Sequence, residues 1–598
     1  MIGVILVLFL IALTYGILKP GGWLYEKNEQ KMIRLDEFHN DLFGDRVFIF
    51  TPQDSPEEVA SILEEMWKQQ ETNQFGEERY GVYFMPGTYD SSIKVMVGYY
   101  MDVAGLGKLP TDTVISSLNC DARWLGDDSN HNACCNFWRG VSNLTVENDV
   151  MWAVSQATFL RRMNIKGNLS LHDNYGWASG GFLADSVIEG VVDSGSQQQW
   201  LSRNSHWNLW IGENWNMVFV GMEAGDAPKG TWPGTKYTTV AETPEIAEKP
   251  YLYYDQKKGY MVHVPDIRTN STGISWEADK GRDITMEECY IANSDIDISA
   301  TINEALSSGK NLILTPGIYH LKEALQVQKQ DTVILGMGLA TLIPDNGNAC
   351  IEIADVPGVR IAGILFDAGA LNSKVLLAVG SANNSSKTDL SNKNPMVLSD
   401  LFFRVGGNPG YVAQTESCVT IDADNVIGDN FWVWRADHGD GVAWDQNRAA
   451  NGIIVNGDAV TIYALMVEHF QEYQTIWNGN EGKVYFYQSE IPYDVPDQKS
   501  WMSQDGTVNG YASYKVAEDV TSHEAYGLGI YLYNRDAKVD LFSAMEVPDG
   551  PEVKIHNICT VMLTGNPGIS HIINDQGGSC LQAGERQIIT DYCQGIEK

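Results

Sequence analysis

Two glutamates carry the first chemical question in this sequence: Glu468, in MVEHF, and Glu490, in QSEIPY, 22 residues apart. Acid-catalysed cleavage of an acetal needs a protonated carboxyl at the leaving oxygen, and an inverting route also needs a positioned water on the opposite face. A carboxyl keeps its proton near neutral pH when it is buried or stands beside another negative charge. If the chain coils with a period near 22 residues, the two acids share a face on adjacent rungs and each raises the other's proton affinity. Set against this is a pair of ordinary solvated glutamates in an acidic chain. Aromatic residues favour the sharper reading. Trp432, Trp434, Trp444, Tyr473, Trp477, Tyr485, Tyr487, Tyr493 and Trp501 crowd the same segment, and sugar rings stack on such faces. About half of these are expected to fill a core instead.

A second polar cluster lies far upstream, in SGSQQQWLSRNSHWNLW (residues 194–210). Three consecutive glutamines cannot all face inward on a strand, because successive side chains alternate. Gln198 and Gln199 suit sugar hydroxyls or a held water, and Arg203 offers a rigid donor fork. An amide ladder stabilising a coil is the structural alternative. Glu524, in TSHEAYGLG, is a further acidic candidate in a polar strand-end setting.

The elements that must position these residues recur twice. SPEEVASILEEMWKQQ followed by RYGVYFMPGTY matches DISATINEALSSGKNLILTPGIYH, and the two Pro-Gly pairs, Pro86-Gly87 and Pro316-Gly317, lie 230 residues apart. That period is too long for one solenoid coil, so whole domains repeat. Within each copy, alternating strands of four to six residues are separated by Asn, Asp or Gly. This suits a parallel β-helix, whose corners need left-handed backbone, better than a β-sandwich. The helix ahead of each Pro-Gly strand fits a cap over an open coil end. The sequence thus predicts an all-β chain of two tandem β-helices, each with a short N-terminal capping helix. The expected boundaries are 40–235 for the first domain, 236–285 for a hairpin-bearing connector and 286–598 for the second domain. Residues 2–18, IGVILVLFLIALTYGIL, carry no charge, and residues 1–22 are expected to act as a signal peptide or membrane anchor of an exported protein.

Bulk properties narrow the partner. A net charge of −36 disfavours nucleic acid and anionic membrane surfaces, and fits a neutral polymer better than a polyanion. Nine cysteines in 598 residues are too few for a disulfide scaffold, and no CxxC spacing occurs. No metal or cofactor is expected, and the chain is expected to be monomeric.

Four segments in order resemble glycoside hydrolase family 55, the β-1,3-glucanases. WRADHGDG matches the family's W-x-A-D-H through Trp434, Ala436, Asp437 and His438, and VEHFQEYQ matches its E-H-H through Glu468 and His469. YQSEIPY matches Q-T-E-T-P-Y through Gln488, Glu490, Pro492 and Tyr493, and QQWLSRN mirrors Q-Q-F-x-x-R-N. The resemblance implies two right-handed, pectate-lyase-like parallel β-helices with the active site in the cleft between them. It implies an inverting, exo-acting hydrolase of β-1,3-glucan with Glu490 as general acid, Glu468 as its neighbour, and Gln198 or Gln199 helping to hold the water. Arg203, Asn204, Asp437, His438, Tyr493, Trp477, Gln488 and Glu524 form the expected substrate-binding set. The chain departs from the pattern at Phe470, Ser489 and Ile491. Two other readings are a β-helical polysaccharide lyase, which would need a cationic partner beside its base, and a non-catalytic carbohydrate-binding or adhesion protein on the same scaffold.

Overall fold

A computed structural model of the protein describes residues 39–40, 42–122, 130–381, 394–565 and 567–597. The uncharged N-terminal run lies outside the described residues. Among those described, no helix is long and apolar enough to cross a membrane.

The chain folds into two parallel β-helices. Each is headed by one helix, α1 (Pro56–Gln70) in the first and α2 (Ser299–Ser307) in the second. Ser55 caps α1 through its side chain, which accepts from the Glu58 amide, and Pro56 occupies the first turn, where its missing N–H costs nothing. Val59, Ile62, Leu63 and Met66 line one face of α1 and close the open coil end.

In the first coil, β1 (Arg139–Val146), β2 (Thr158–Ile165) and β3 (Gln199–Arg203) belong to one 18-stranded sheet. The last rung of that coil is Tyr237–Val240, paired in parallel with Asn216–Val220, so the coil runs past the expected boundary at 235. An antiparallel three-stranded connector, residues 251–285, follows. In the second coil, the rungs facing the first coil are β4 (Arg360–Asp367), β5 (Met396–Val405), β6 (Val426–Arg435), β7 (Thr461–Glu468), β8 (Gly482–Glu490) and β9 (Ser522–Leu532). They stack in parallel and in register, and a second, nine-stranded sheet forms another wall.

Every one of these rungs bends at a residue with positive φ. Gly363, Asp400, Asn430, Ala464, Phe486 and Gly527 take this conformation on β4 to β9, and Asn143, Arg162, Asp185 and Asn204 take it on the first coil. Gly, Asn and Asp tolerate left-handed backbone, whereas Phe486 and Arg162 take it at a cost because the register of their neighbours fixes the corner. The corners of the two coils face each other and form a seam.

Charge and aromatic packing lock that seam. Arg161 binds Asp400 at 2.8 Å and Asp429 at 2.7 Å, Arg203 binds Glu248 at 2.7 Å and Asp429 at 2.9 Å, and Lys249 binds Asp400 at 3.1 Å. Three cations meet three carboxylates, so the buried cluster is formally neutral. Beside it Trp138, Phe137, Trp432 and Trp434 pack together, with Phe137–Trp432 ring centroids 4.6 Å apart. Such pairs are each worth about 0.5–1.5 kcal/mol beyond their buried area. Arg161→Ala leaves Asp400 and Asp429 short of a buried partner and is expected to destabilise the protein by about 3–5 kcal/mol. An unchanged denaturant midpoint would contradict this account of the seam.

Candidate active site

The stacked register puts Trp434, Glu468, Glu490 and Tyr531 opposite one another at one end of β6 to β9. The 22-residue spacing is therefore one turn of the coil, and the two glutamates stand on adjacent rungs, about 4.7–4.9 Å apart along the axis. Each closes its strand, and the Glu468 carboxyl meets the first coil there. The turn after β7 begins with His469 at φ 68°, and that after β8 carries Tyr493.

Glu468 is 2% exposed and both of its oxygens are engaged. Oε2 accepts from Trp432 Nε1 at 2.9 Å, and Oε1 accepts from Gln156 Nε2 of the first coil at 2.9 Å. Glu490 is more open, its side chain 14% exposed. It accepts from the Tyr493 hydroxyl, and from Gln488 Nε2 at 3.4 Å. His469 Nε2 lies 4.0 Å from it.

Burial raises the proton affinity of both carboxyls. Glu468 is pushed well above the carboxylate range by burial and by the Glu490 charge, against the donated bonds of Trp432 and Gln488. Glu490 is pushed up to about 7 by burial, with Asp437 adding to the rise and the Tyr493 bond opposing it. The pair therefore retains a proton at neutral pH. The upward shift is the stronger at Glu468, so the two share the proton as a pair. The bonds donated by Trp432 Nε1 and Gln156 Nε2 stabilise the tautomer in which Glu468 is charged and the proton sits on the more open Glu490, the form able to act on a substrate. Asp437 is buried, which alone would raise it, but its 2.8 Å bond to His438 Nδ1 and the nearby His469 charge hold it down at about 2. Burial opposes protonation of His438, yet bonds to Asp437 and Cys135 raise it to about 10, so this ring stays an imidazolium.

The first coil supplies the facing wall. Ser179 Oγ accepts from Gln156 Nε2 and Gln199 Nε2, each at 3.3 Å. Gly180, next to Ser179, lies between Gln199 and Met466 of β7. The side-chain oxygens of Gln156, Gln199 and Gln488 are buried and have no protein partner. These amide oxygens lack donors, which a sugar hydroxyl or a water provides.

Most of the sequence-predicted residues gather here: Glu468, Glu490, Gln488, Tyr493, Asp437, His438 and Gln199. Four do not, and Gln198 stands apart. Arg203 is fully buried in the seam, and Asn204 bonds Arg203, Thr243 and Ser271 there. Arg203 holds the coils together through Asp429, and Asn204 ties Arg203 to the connector. Trp477 lies inside the core of the second coil, against His523. Glu524 sits seven residues back along β9 from Tyr531, bonded to Tyr526 at 2.7 Å and paired with Lys483 on the next rung. Strand alternation turns Gln198 away from the face that Gln197 and Gln199 share, so Gln199 is the glutamine at the cluster. Gln156 and Ser179 were not read from the sequence. Gln156 lies 312 residues from the carboxylate it binds, in a segment without a motif.

Comparison with known proteins supplies independent findings. The LAM55 pectate lyase-like domain family matches residues 290–490. An exo-β-1,3-glucanase of Streptomyces sp. (strain SirexAA-E / ActE) is 42% identical over 543 residues, which is 89% of this chain and 87% of the relative. The solved structure of sacteLam55A from Streptomyces sp. SirexAA-E superimposes with a TM-score of 0.87 at 40% identity, covering 92% of this chain and 98% of that one. A variant of sacteLam55A solved in complex with glucose gives the same TM-score and identity, covering 93% and 99%.

The electrostatics can be checked without any substrate. Protonated-carboxyl infrared intensity is expected to fall as pH rises through about 7, and that step is expected to be missing in Glu490→Gln. The Tyr493 hydroxyl stabilises the charged form, so Tyr493→Phe should move that midpoint upward; a downward move would contradict the assignment.

Proposed function

The chain belongs to glycoside hydrolase family 55, the β-1,3-glucanases, and from that premise we propose that it is an exo-acting, inverting hydrolase of β-1,3-glucan whose acid is Glu490. It is a glycoside hydrolase, and the exo-β-1,3-glucanase name of its Streptomyces relative supports release from a chain end. The observation that carries the residue assignment is the facing arrangement across the cleft. A carboxyl raised to about 7 stands on the second coil, and amide oxygens without partners stand on the first.

The chemistry follows from what each group can do. Glu490, protonated and partly open, donates its proton to the glycosidic oxygen as the C1–O bond breaks. A water held by the Gln156 and Gln199 amide oxygens attacks C1 from the other side. As it attacks, its proton passes to Gln156 Oε1 while Gln156 Nε2 gives a proton to Glu468, so that the glutamine relays and Glu468 ends protonated. The high proton affinity of Glu468 suits that end point. Glu468 does not suit direct attack on the sugar, because it is nearly inaccessible and both of its oxygens are engaged. Asp437, held by His438 beside Trp434, offers an acceptor for sugar hydroxyls.

Neither alternative draws support from the cleft. A uronate lyase needs cationic groups around its base, and Glu490 faces Asp437 and Glu468 instead. The uncharged run at residues 2–18 supports export, either as a cleaved signal or as an anchor, and we propose a monomer.

Glu490→Gln is expected to lower the release of reducing sugar from unactivated β-1,3-glucan about 10²–10⁴-fold while glucan affinity stays within about threefold. Hydrolysis at the wild-type rate would remove Glu490 from the role. Appearance of 4,5-unsaturated product would replace hydrolysis with elimination.

A further inference from the structure

Two thiols on the wall of the cleft take no part in the chemistry above. Cys134 and Cys135 occupy the central positions of a β-turn closed by the Asn136 amide donating to the Ala133 carbonyl at 2.9 Å. Both are free and partly exposed. The turn is held firmly. The Cys134 amide donates to Asn132 Oδ1 at 2.9 Å, Ser155 Oγ donates to the Ala133 carbonyl at 3.0 Å, and the Tyr99 hydroxyl donates to the Cys135 carbonyl. Cys135 packs against the aromatic cluster of Trp432 and Trp434, which borders Glu468 through Trp432 and His438 through Trp434. Burial, with the Cys135 and Glu490 charges, raises the proton affinity of Cys134.

The backbone sets what this pair can bind. Consecutive Cα atoms are about 3.8 Å apart, whereas a relaxed disulfide spans about 4.4–6.8 Å, so a direct bond between neighbours is strained. A single atom bridging the two sulfurs widens the ring and removes that restriction. We propose that Cys134 and Cys135 form a dithiol site that captures thiophilic reagents able to bind two sulfurs at once, trivalent organic arsenicals being the class that fits, and that capture blocks the cleft. In the step two arsenic–sulfur bonds form, the arsenic–oxygen bond breaks, and the two thiol protons leave with the oxygen as water. No oxidant or reductant is required. The bulky adduct would stand beside Trp432, Trp434 and His438, the wall that the reading above gives to the sugar. The blocking of hydrolysis rests on the functional reading above; capture itself does not.

The test uses the full chain and phenylarsine oxide. The wild-type protein is expected to take up one arsenic per chain and to lose at least about 90% of its glucan hydrolysis. A dithiol such as 2,3-dimercaptopropanol should restore activity, and an equal concentration of a monothiol should not. Cys134→Ser and Cys135→Ser should each keep their own untreated rate in the presence of the arsenical. Alkylation mapping of the wild-type protein needs neither a variant nor an activity: the arsenical should shield Cys134 and Cys135 from iodoacetamide while Cys289 and Cys593, which are partly exposed and far apart in the sequence, remain reactive. Unshielded Cys134 and Cys135 would overturn the site. Shielding with full hydrolysis would overturn the blocking, and inhibition that persists in both serine variants would move the effect elsewhere.

Discussion

A buried, charge-balanced seam sets everything else in this protein. Arg161 and Arg203 of the first coil, Glu248 and Lys249 of the segment after it, and Asp400 and Asp429 of the second coil cannot be separated without stranding charge in a low-dielectric interior. Such a cluster is weak evidence of stability for its own sake, since apolar packing of the same volume can do as well. What it contributes is alignment: the bonds of Arg161 to Asp400 and Asp429, and of Arg203 to Asp429, fit rungs of the first coil against rungs of the second. That alignment brings Gln156 within 2.9 Å of Glu468, and the site exists only because two separately wound coils are held in that register.

The electrostatics follow from the same geometry. Parallel coils stack like positions at the spacing of one rung, so two acids a single turn apart must share a small volume. Burial between the coils then lifts both proton affinities, and the fixed donors Trp432 and Gln156 decide which of the two carries charge. The tautomer with the proton on Glu490 and the charge on Glu468 is stabilised by unequal partners, not by unequal residues.

Much of this was legible in the sequence, for physical reasons that differ from residue to residue. Glu468 and Glu490 could be paired because a β-helix repeats at the length of its coil, and the strand alternation with Asn and Gly corners announced such a coil. Gln156 and Ser179 could not, because contacts across the seam have no period and no local pattern. Arg203 and Asn204 misled because a polar run that anchors a seam has the same residue types as one that binds sugar; only burial separates them. Trp477 is an aromatic of the expected core half. The departures at Phe470 and Ile491 proved to be fully buried inside the second coil, so they alter its packing and not the cleft. Ser489 likewise faces inward and bonds Ser513.

Adjacent rungs space the two glutamate backbones about 4.7–4.9 Å apart, below the roughly 6.5–9.5 Å usual between the carboxyls of an inverting pair and near the roughly 5–5.5 Å of retaining enzymes. The occupied oxygens of Glu468 and the unpartnered amide oxygens of the first coil argue instead for attack by water. The anomeric configuration of the first glucose released, followed by proton NMR before mutarotation, decides between them. The account predicts the α-anomer from a β-1,3-glucan. Initial release of the β-anomer would mean a covalent intermediate and would contradict it.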